Sequence, residues 1–297
     1  MSIMNWLLIS SDFEKRERMK VSLNELFPGS VIYESSTEIS SLQNIYGILD
    51  KISCCVIISD NIENGCALIV GYLCGKNIHV ITDADFEKSV TESFGSLVVK
   101  KNIDEICKGI KKNRKKLEDE VKRKEAFDYL FAHGIPFSPD HFSKYIEKGA
   151  LDICECYITA GMDVNSRDRD GTPMLSIAVR NDNVETVKWL LKKGADVNAI
   201  SEDRGYSALM DAVWRGNKDI VLILLEKNPD VNIISKEGQT MIILAVGAEN
   251  VEICSLLCQK GADVDISDEM GMSAYGYARL FKKEKILSIL EKYHKES

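Results

Sequence analysis

The sequence predicts a small open α/β domain with a parallel five-stranded sheet, followed by an all-α solenoid of stacked repeats. Three observations carry that reading. Residues 1–112 alternate short apolar runs with longer segments of helical apolar spacing, the pattern of strands crossing through helices to further strands. From about residue 139 onward, one motif recurs at intervals of 33 or 34 residues. The length of 297 residues suits one compact domain joined to an elongated array.

Composition narrows the classes further. With 45% apolar residues, 28% charged residues and only 5 prolines, the chain is neither a mainly disordered polymer nor a collagen or mucin-like stalk. A net charge of −8 argues against wrapping by nucleic-acid phosphates, so nucleic acid is not the expected partner. No run approaches the roughly 20 apolar residues that span a bilayer, and the amino terminus lacks an export signal, so a cytoplasmic protein without membrane contact is expected. Nine irregularly spaced cysteines, most in apolar surroundings, read as buried free thiols rather than disulfides. Four histidines and no Cys-x-x-Cys pair leave no metal site to expect, and no cofactor is expected either.

In the amino-terminal half, strands are predicted at Trp6–Ile9, Val31–Tyr33, Cys54–Ile58, Ile78–Ile81 and Leu97–Val99. Helices are predicted around Glu14–Leu26, Ser41–Leu49, Cys66–Cys74 and Asp85–Ser93, with a fifth from about Asp104. The run Cys54–Ile58 is apolar on both faces, as a central parallel strand must be, and delivers polar residues to its carboxyl edge. Ser10, Ser11, Asp12, Asp60, Asn61 and Asn64 therefore form a candidate ligand pocket at the ends of strands one and three. Each also reads as a loop residue or helix cap. No Gly-x-Gly-x-x-Gly or Gly-Lys-Ser/Thr loop is present, which argues against ordinary dinucleotide or triphosphate binding. Cys54 and Cys55 read as core, with no histidine near them in sequence to activate a thiol.

Residues 113–138 are expected to be a charged helical connector. Lys111–Lys124 holds eight basic and three acidic residues, with opposite charges three or four apart and Ile106, Ile110 and Leu117 on one face. Glu125–Phe142, rich in aromatics, is expected to pack this helix against the first repeat.

The repeats occupy 139–297. Asp-Val pairs recur at Asp163-Val164, Asp196-Val197, Asp230-Val231 and Asp263-Val264, each followed by Asn165, Asn198, Asn232 or Asp265. Gly171, Gly205, Gly238 and Gly271 keep the same rhythm, with Ala178, Ala212, Ala245 and Ala278 each seven residues later. Within each unit the apolar residues fit two short helices, neither of which can bury its face alone; stacking the copies solves that problem.

These units resemble ankyrin repeats, and Val184–Ile200 is similar to that family's second helix and following turn. Five copies are expected, at about 139–167, 168–201, 202–234, 235–267 and 268–297, the first and last acting as caps. The family's Thr-Pro-Leu-His start is altered in every copy and its histidine is absent, so Ser176, Asp211 and their equivalents are expected either to replace its bonds or to leave weaker junctions. The resemblance implies a protein partner bound by the turn tips and the concave face of the first helices. Carried over residue by residue, it points to Arg169, Asp170, Thr172, Arg180, Asn181, Asp203, Arg204, Tyr206, Trp214, Arg215, Lys236, Glu237, Gln239, Ala248, Met270, Met272 and Phe281. Tyr206, Trp214 and Arg215 form the aromatic and arginine group typical of binding hot spots. Trp214 also reads as packing between neighbouring helices, and Phe281 reads more as closing the terminal core than as a contact residue.

Lys51–Thr82 is similar to the middle of the nucleoside 2-deoxyribosyltransferase family through Gly71, Tyr72, Gly75 and Lys76, and also to the TIR domain. Both resemblances imply cleavage or transfer at an N-glycosidic bond of NAD or a nucleoside, using a glutamate on the helix. The matching position is Ile69, which cannot do that work; the nearest carboxylates are Asp60 and Glu63. The expectation is an interaction protein whose α/β domain binds a nucleotide or nucleoside-like ligand, or senses or forms a homo-oligomer, with N-ribosyl hydrolase or transferase activity as the alternative.

Overall fold

The computed structural model describes residues 4–10, 12–35, 46–58, 69–70, 72–74, 76, 78–82, 98–100 and 102–295. Two compact units divide the chain, Met1–Lys124 and Glu125–Ser297.

The first unit is built on a parallel sheet in the order β2-β1-β3-β4-β5, with β1 Asn5–Ser10, β2 Val31–Ser35, β3 Cys54–Ile58, β4 Val80–Thr82 and β5 Val98–Lys100. Every residue of β3 is buried, as its unbroken apolar run requires. Apolar side chains of β1 and β3 alternate between two cores. Leu7, Ile9, Cys55 and Ile57 face one, with Ile69, Val70 and Leu73; Trp6, Leu8, Val56 and Ile58 face the other, with Met19, Leu23, Ile106 and Ile110. Helix α1, Phe13–Leu26, starts where Asp12 accepts from the Lys15 amide.

Three boundaries differ from the sequence reading. β4 begins at Val80 rather than Ile78, because the Ile78 amide is still bonded to the Leu73 carbonyl and the chain has not yet left the preceding turn. β5 sits one residue later than expected, in register with β4 at Val80↔Val98. Tyr46–Lys51, at the end of the expected second helix, is a 3₁₀ turn. The expected helix Asp85–Ser93 lies outside the described residues.

Helix α2 runs from Ile103 to Ala132, a single element of 30 residues that contains most of the expected connector. Ile106, Ile110, Leu117 and Val121 form its buried stripe within the first unit. In the second unit its last turns supply Leu130 to the repeat core, and Phe127 packs edge-on to Phe137. Phe137 stacks on the fully buried Tyr157, whose hydroxyl donates to the Pro136 carbonyl at 2.7 Å.

The second unit is a stack of helix pairs: α3 Pro139–Lys148 with α4 Leu151–Thr159, α5 Met174–Arg180 with α6 Val184–Lys192, α7 Ala208–Arg215 with α8 Lys218–Leu225, α9 Met241–Gly247 with α10 Val251–Gln259, and α11 Ala274–Leu280 with α12 Glu284–Leu290. Each first helix packs on the next, and the four recurring alanines are fully buried because a larger side chain would hold those neighbours apart. Asn183, Asn217 and Asn250 cap the second helices, each accepting from the amide three residues on.

The recurring Asp-Val-Asn turn has a double use. Asp163, Asp196 and Asp230 each accept from the amide two residues later, which fixes the turn. Asn165, Asn198 and Asn232 each accept from the backbone amide of the next unit's aspartate, at 2.8, 2.9 and 2.8 Å. That bond stitches one repeat to the next. In the fourth unit Asp265 replaces the asparagine and binds the end of the fifth, with His294 Nδ1 at 2.6 Å and the Lys295 amide at 3.0 Å.

Candidate protein-binding surface

The first helices of successive units end at matching positions of the repeat. Counting two residues past the buried alanines gives one register position occupied by Arg180, Trp214, Gly247 and Leu280. Those four residues have different fates.

Arg180 lies in the junction between the second and third units. Its Nε donates to Asp211 Oδ2 at 2.9 Å, Nη1 to Asp203 Oδ2 at 2.8 Å, and Nη2 to Ser201 Oγ and Asp203 Oδ1, both at 3.1 Å. Arg204 adds a second cation to Asp211 at 3.5 Å and stands over the Tyr206 ring. Asp211 is 1% exposed. Burial pushes its carboxyl up, against the pull of Arg180 and Arg204. For Asp203 burial also opposes the charge, but hydrogen bonds from Arg180 and the Arg204 amide outweigh it and hold the carboxyl well below the ordinary range. Asp211 thus joins the second unit to the third at this junction, whereas the Ser176 hydroxyl is fully buried with no hydrogen-bond partner among the described residues.

Several of the residues expected at the turn tips and concave face bond within the scaffold. Arg180 has its guanidinium engaged within the scaffold. Tyr206 is 4% exposed, and its hydroxyl donates to Gln239 Oε1 at 2.9 Å, so both side chains join the third unit to the fourth. Arg215 reaches back to Asp182 through Nε at 3.1 Å and through Nη2, and Asn217 bonds the same carboxylate. The Arg215 hydrogen bonds lower the Asp182 carboxyl. The Lys236 ammonium donates to the Glu202 carbonyl of the preceding unit. Arg169 is exposed at a turn tip; its amide donates to Asp140 at 2.7 Å while its side chain faces solvent beside Asp170.

Trp214 is 54% exposed, with no hydrogen-bond or ring partner among the described residues. Leu280 and Phe281 are 61% and 59% exposed, with Phe281 stacked on Tyr277 at 6.0 Å between centroids. Reading the sequence by motif string passed over Leu280 and Gly247; counting from the recurrent alanine finds both. Between Trp214 and Leu280 lies Gly247, where an added Cβ would have no heavy atom within 4 Å.

In the first unit, Ser10 and Ile58 are register partners, so the carboxyl ends of β1 and β3 adjoin where the sheet order reverses. Ser10 is buried; its Oγ accepts from the Asp12 amide at 3.1 Å, while Asp12 caps α1. Ser11, Asp60, Asn61, Glu63 and Asn64 lie outside the described residues. Ile69 is fully buried in the sheet core. Tyr72 donates to Asp50 at 2.5 Å, and Lys76 stands 3.4 Å from the same carboxylate, so the two side chains meet at one acid. Burial pushes the Cys54, Cys154 and Cys254 thiols up to about 12, which leaves them poor nucleophiles. No helix among the described residues is long and apolar enough to cross a membrane.

Residues 142–235 match the family description "Ankyrin repeats (3 copies)", and residues 237–269 match a further ankyrin repeat. A putative ankyrin repeat-containing protein of Treponema pallidum (strain Nichols) is 32% identical over 221 residues, covering 74% of each chain. A putative palmitoyltransferase ZDHHC13 of Danio rerio is 30% identical over 130 residues, 44% of this chain and 20% of that protein. The Notch-regulated ankyrin repeat-containing protein of Xenopus tropicalis is 43% identical over 60 residues, 20% of this chain and 52% of that protein. The match to the Treponema protein extends over most of both sequences, and with the repeat geometry it places this chain in the family of ankyrin-repeat proteins.

Proposed function

We propose that the chain is a protein–protein interaction component whose repeats bind a partner on the concave side, with Trp214 as the principal contact and the Arg169 turn tip as a secondary one. The exposed indole at Trp214 carries this reading: a large aromatic surface held on a rigid helix end loses little entropy on binding. The amino-terminal unit serves assembly or ligand sensing without turnover, a reading supported by the buried isoleucine at position 69 where the resembling families need a carboxylate.

The test is quantitative capture of partners from cells expressing the tagged full chain. Trp214→Ala should lower recovery at least fivefold and Arg169→Ala less, with helix content unchanged by circular dichroism. Equal recovery by wild type and Trp214→Ala would remove Trp214 from the surface. Incubation of the pure protein with NAD and with deoxynucleosides addresses the amino-terminal unit, and base release would overturn its non-catalytic role.

A further inference from the structure

We infer that the concave strip formed by Trp214, Gly247, Ala248, Leu280 and Phe281 takes an extended, acidic segment of another protein that carries a bulky apolar side chain. This rests on the protein-binding reading above and specifies the partner's chemistry.

The strip is continuous because α7, α9 and α11 pack in that order and carry these residues at matching helix ends. Gly247 and Ala248 are exposed and flat between exposed large side chains on either side, which makes a notch rather than a ridge. Space beyond Gly247 is open to its Cβ direction, so an incoming side chain can lie there against Trp214 on one flank and Leu280 on the other. Adjacent packed helices stand about 8–10 Å apart, so the strip from Trp214 to Leu280 spans about 16–20 Å. An extended chain covers that distance in about six residues.

Charge decides which segments fit. The carboxylates beside the strip are already engaged, Asp182 by Arg215 and Asn217, and Glu249 by Lys283. Glu284 stands in the first turn of α12, where the free amides of the helix start favour it. Arg279 and Lys282 flank Leu280 and Phe281, are exposed, and have no acidic partner among the described residues. A partner segment with Asp or Glu next to its apolar anchor gives those two cations their counter-charges, whereas a basic segment meets like charge.

A random dodecapeptide display library selected on the full-length chain tests this directly. The expected peptides combine a Trp, Phe or Leu with net negative charge. Their affinity, read by fluorescence anisotropy, should fall at least tenfold with Gly247→Gln, whose Cβ meets no heavy atom within 4 Å and whose side chain occupies the notch, and at least fivefold with Arg279→Glu plus Lys282→Glu, and should weaken as salt rises. Enriched peptides that are neutral or basic, or that respond less than twofold to Gly247→Gln, overturn the inference. If such peptides are lost on Arg169→Ala instead, the array still binds proteins and only the strip assignment fails. No enrichment on the folded chain defeats both this inference and the protein-binding reading.

Discussion

Arg180 and Trp214 occupy equivalent positions at the ends of successive first helices, yet one is locked into its junction and the other is left facing solvent. The difference lies in what the next repeat presents. Arg180 meets Asp203 and Asp211 of the third unit, while the fourth unit has Lys236 and Leu244 at the two matching positions, and neither side chain offers an acceptor to the Trp214 indole. In a repeat array, position within the motif says where a side chain emerges; the following repeat decides whether it becomes scaffold or free surface.

The comparison is broken most forcefully at the turn between the same units. Gly205 has φ +71° and a Cβ placed there would lie 2.8 Å from the Lys236 backbone nitrogen. Gly205→Ala should cost about 3 kcal/mol in urea unfolding, combining the left-handed backbone with the overlap. Gly271 has φ +76° but nothing within 4 Å, so Gly271→Ala should cost only about 1 kcal/mol. Equal losses would show that backbone strain, not repeat contact, sets both.

Asp211→Ala comes next. It leaves two arginines without their buried acceptor, and because both guanidiniums keep some solvent contact the expected loss is about 2 kcal/mol, below that of a fully enclosed pair. A loss under about 0.5 kcal/mol would make the network incidental.

A smaller effect is read by pH. The Asp203 carboxyl is held below its unfolded value, so its contribution is complete above about pH 4 and disappears as pH falls through the depressed folded value. Asp211 has the opposite sign, since burial raises it and its charging opposes folding as pH rises. Asp203→Asn should therefore be less stable at neutral pH and should lose less stability on acidification, in melts recorded from pH 7 to pH 3. A parallel decline in wild type and variant would assign the acid loss elsewhere.

The smallest change in stability is expected for Trp214→Ala, within about 0.5 kcal/mol, as for surface positions that pack on nothing. A drop in melting temperature comparable to that of Asp211→Ala would return Trp214 to the core.

Much of the repeat scaffold was legible in the sequence because each structural task recurs. Alanine at close helix contacts, glycine at positive φ and asparagine between turns appear repeatedly at one spacing. The Arg180 network was not legible, since its acids lie 23 and 31 residues away and meet it only when two units stack. Tyr206 misled for a related reason: a residue at a turn tip reads as exposed, but the next unit's Gln239 and its own neighbour Arg204 cover it. In the sheet unit, apolar runs marked the strands, whereas the edge of β4 depended on an amide still bonded into the previous turn. Single polar residues at the sheet edge carried no spacing that separates a helix cap from a ligand group, as Ser10 and Asp12 show.

The asparagine stitches have a consequence for watching the array open. The amides of Asp196, Asp230 and Asp263 are each held by an acceptor in the preceding unit, and that of Lys295 by Asp265. Each of these amide protons is a local clock for one junction, since it can exchange with deuterium when its neighbour departs even if its own turn stays intact. Read together, the four exchange rates would show from which end the array comes apart, and whether it does so one unit at a time.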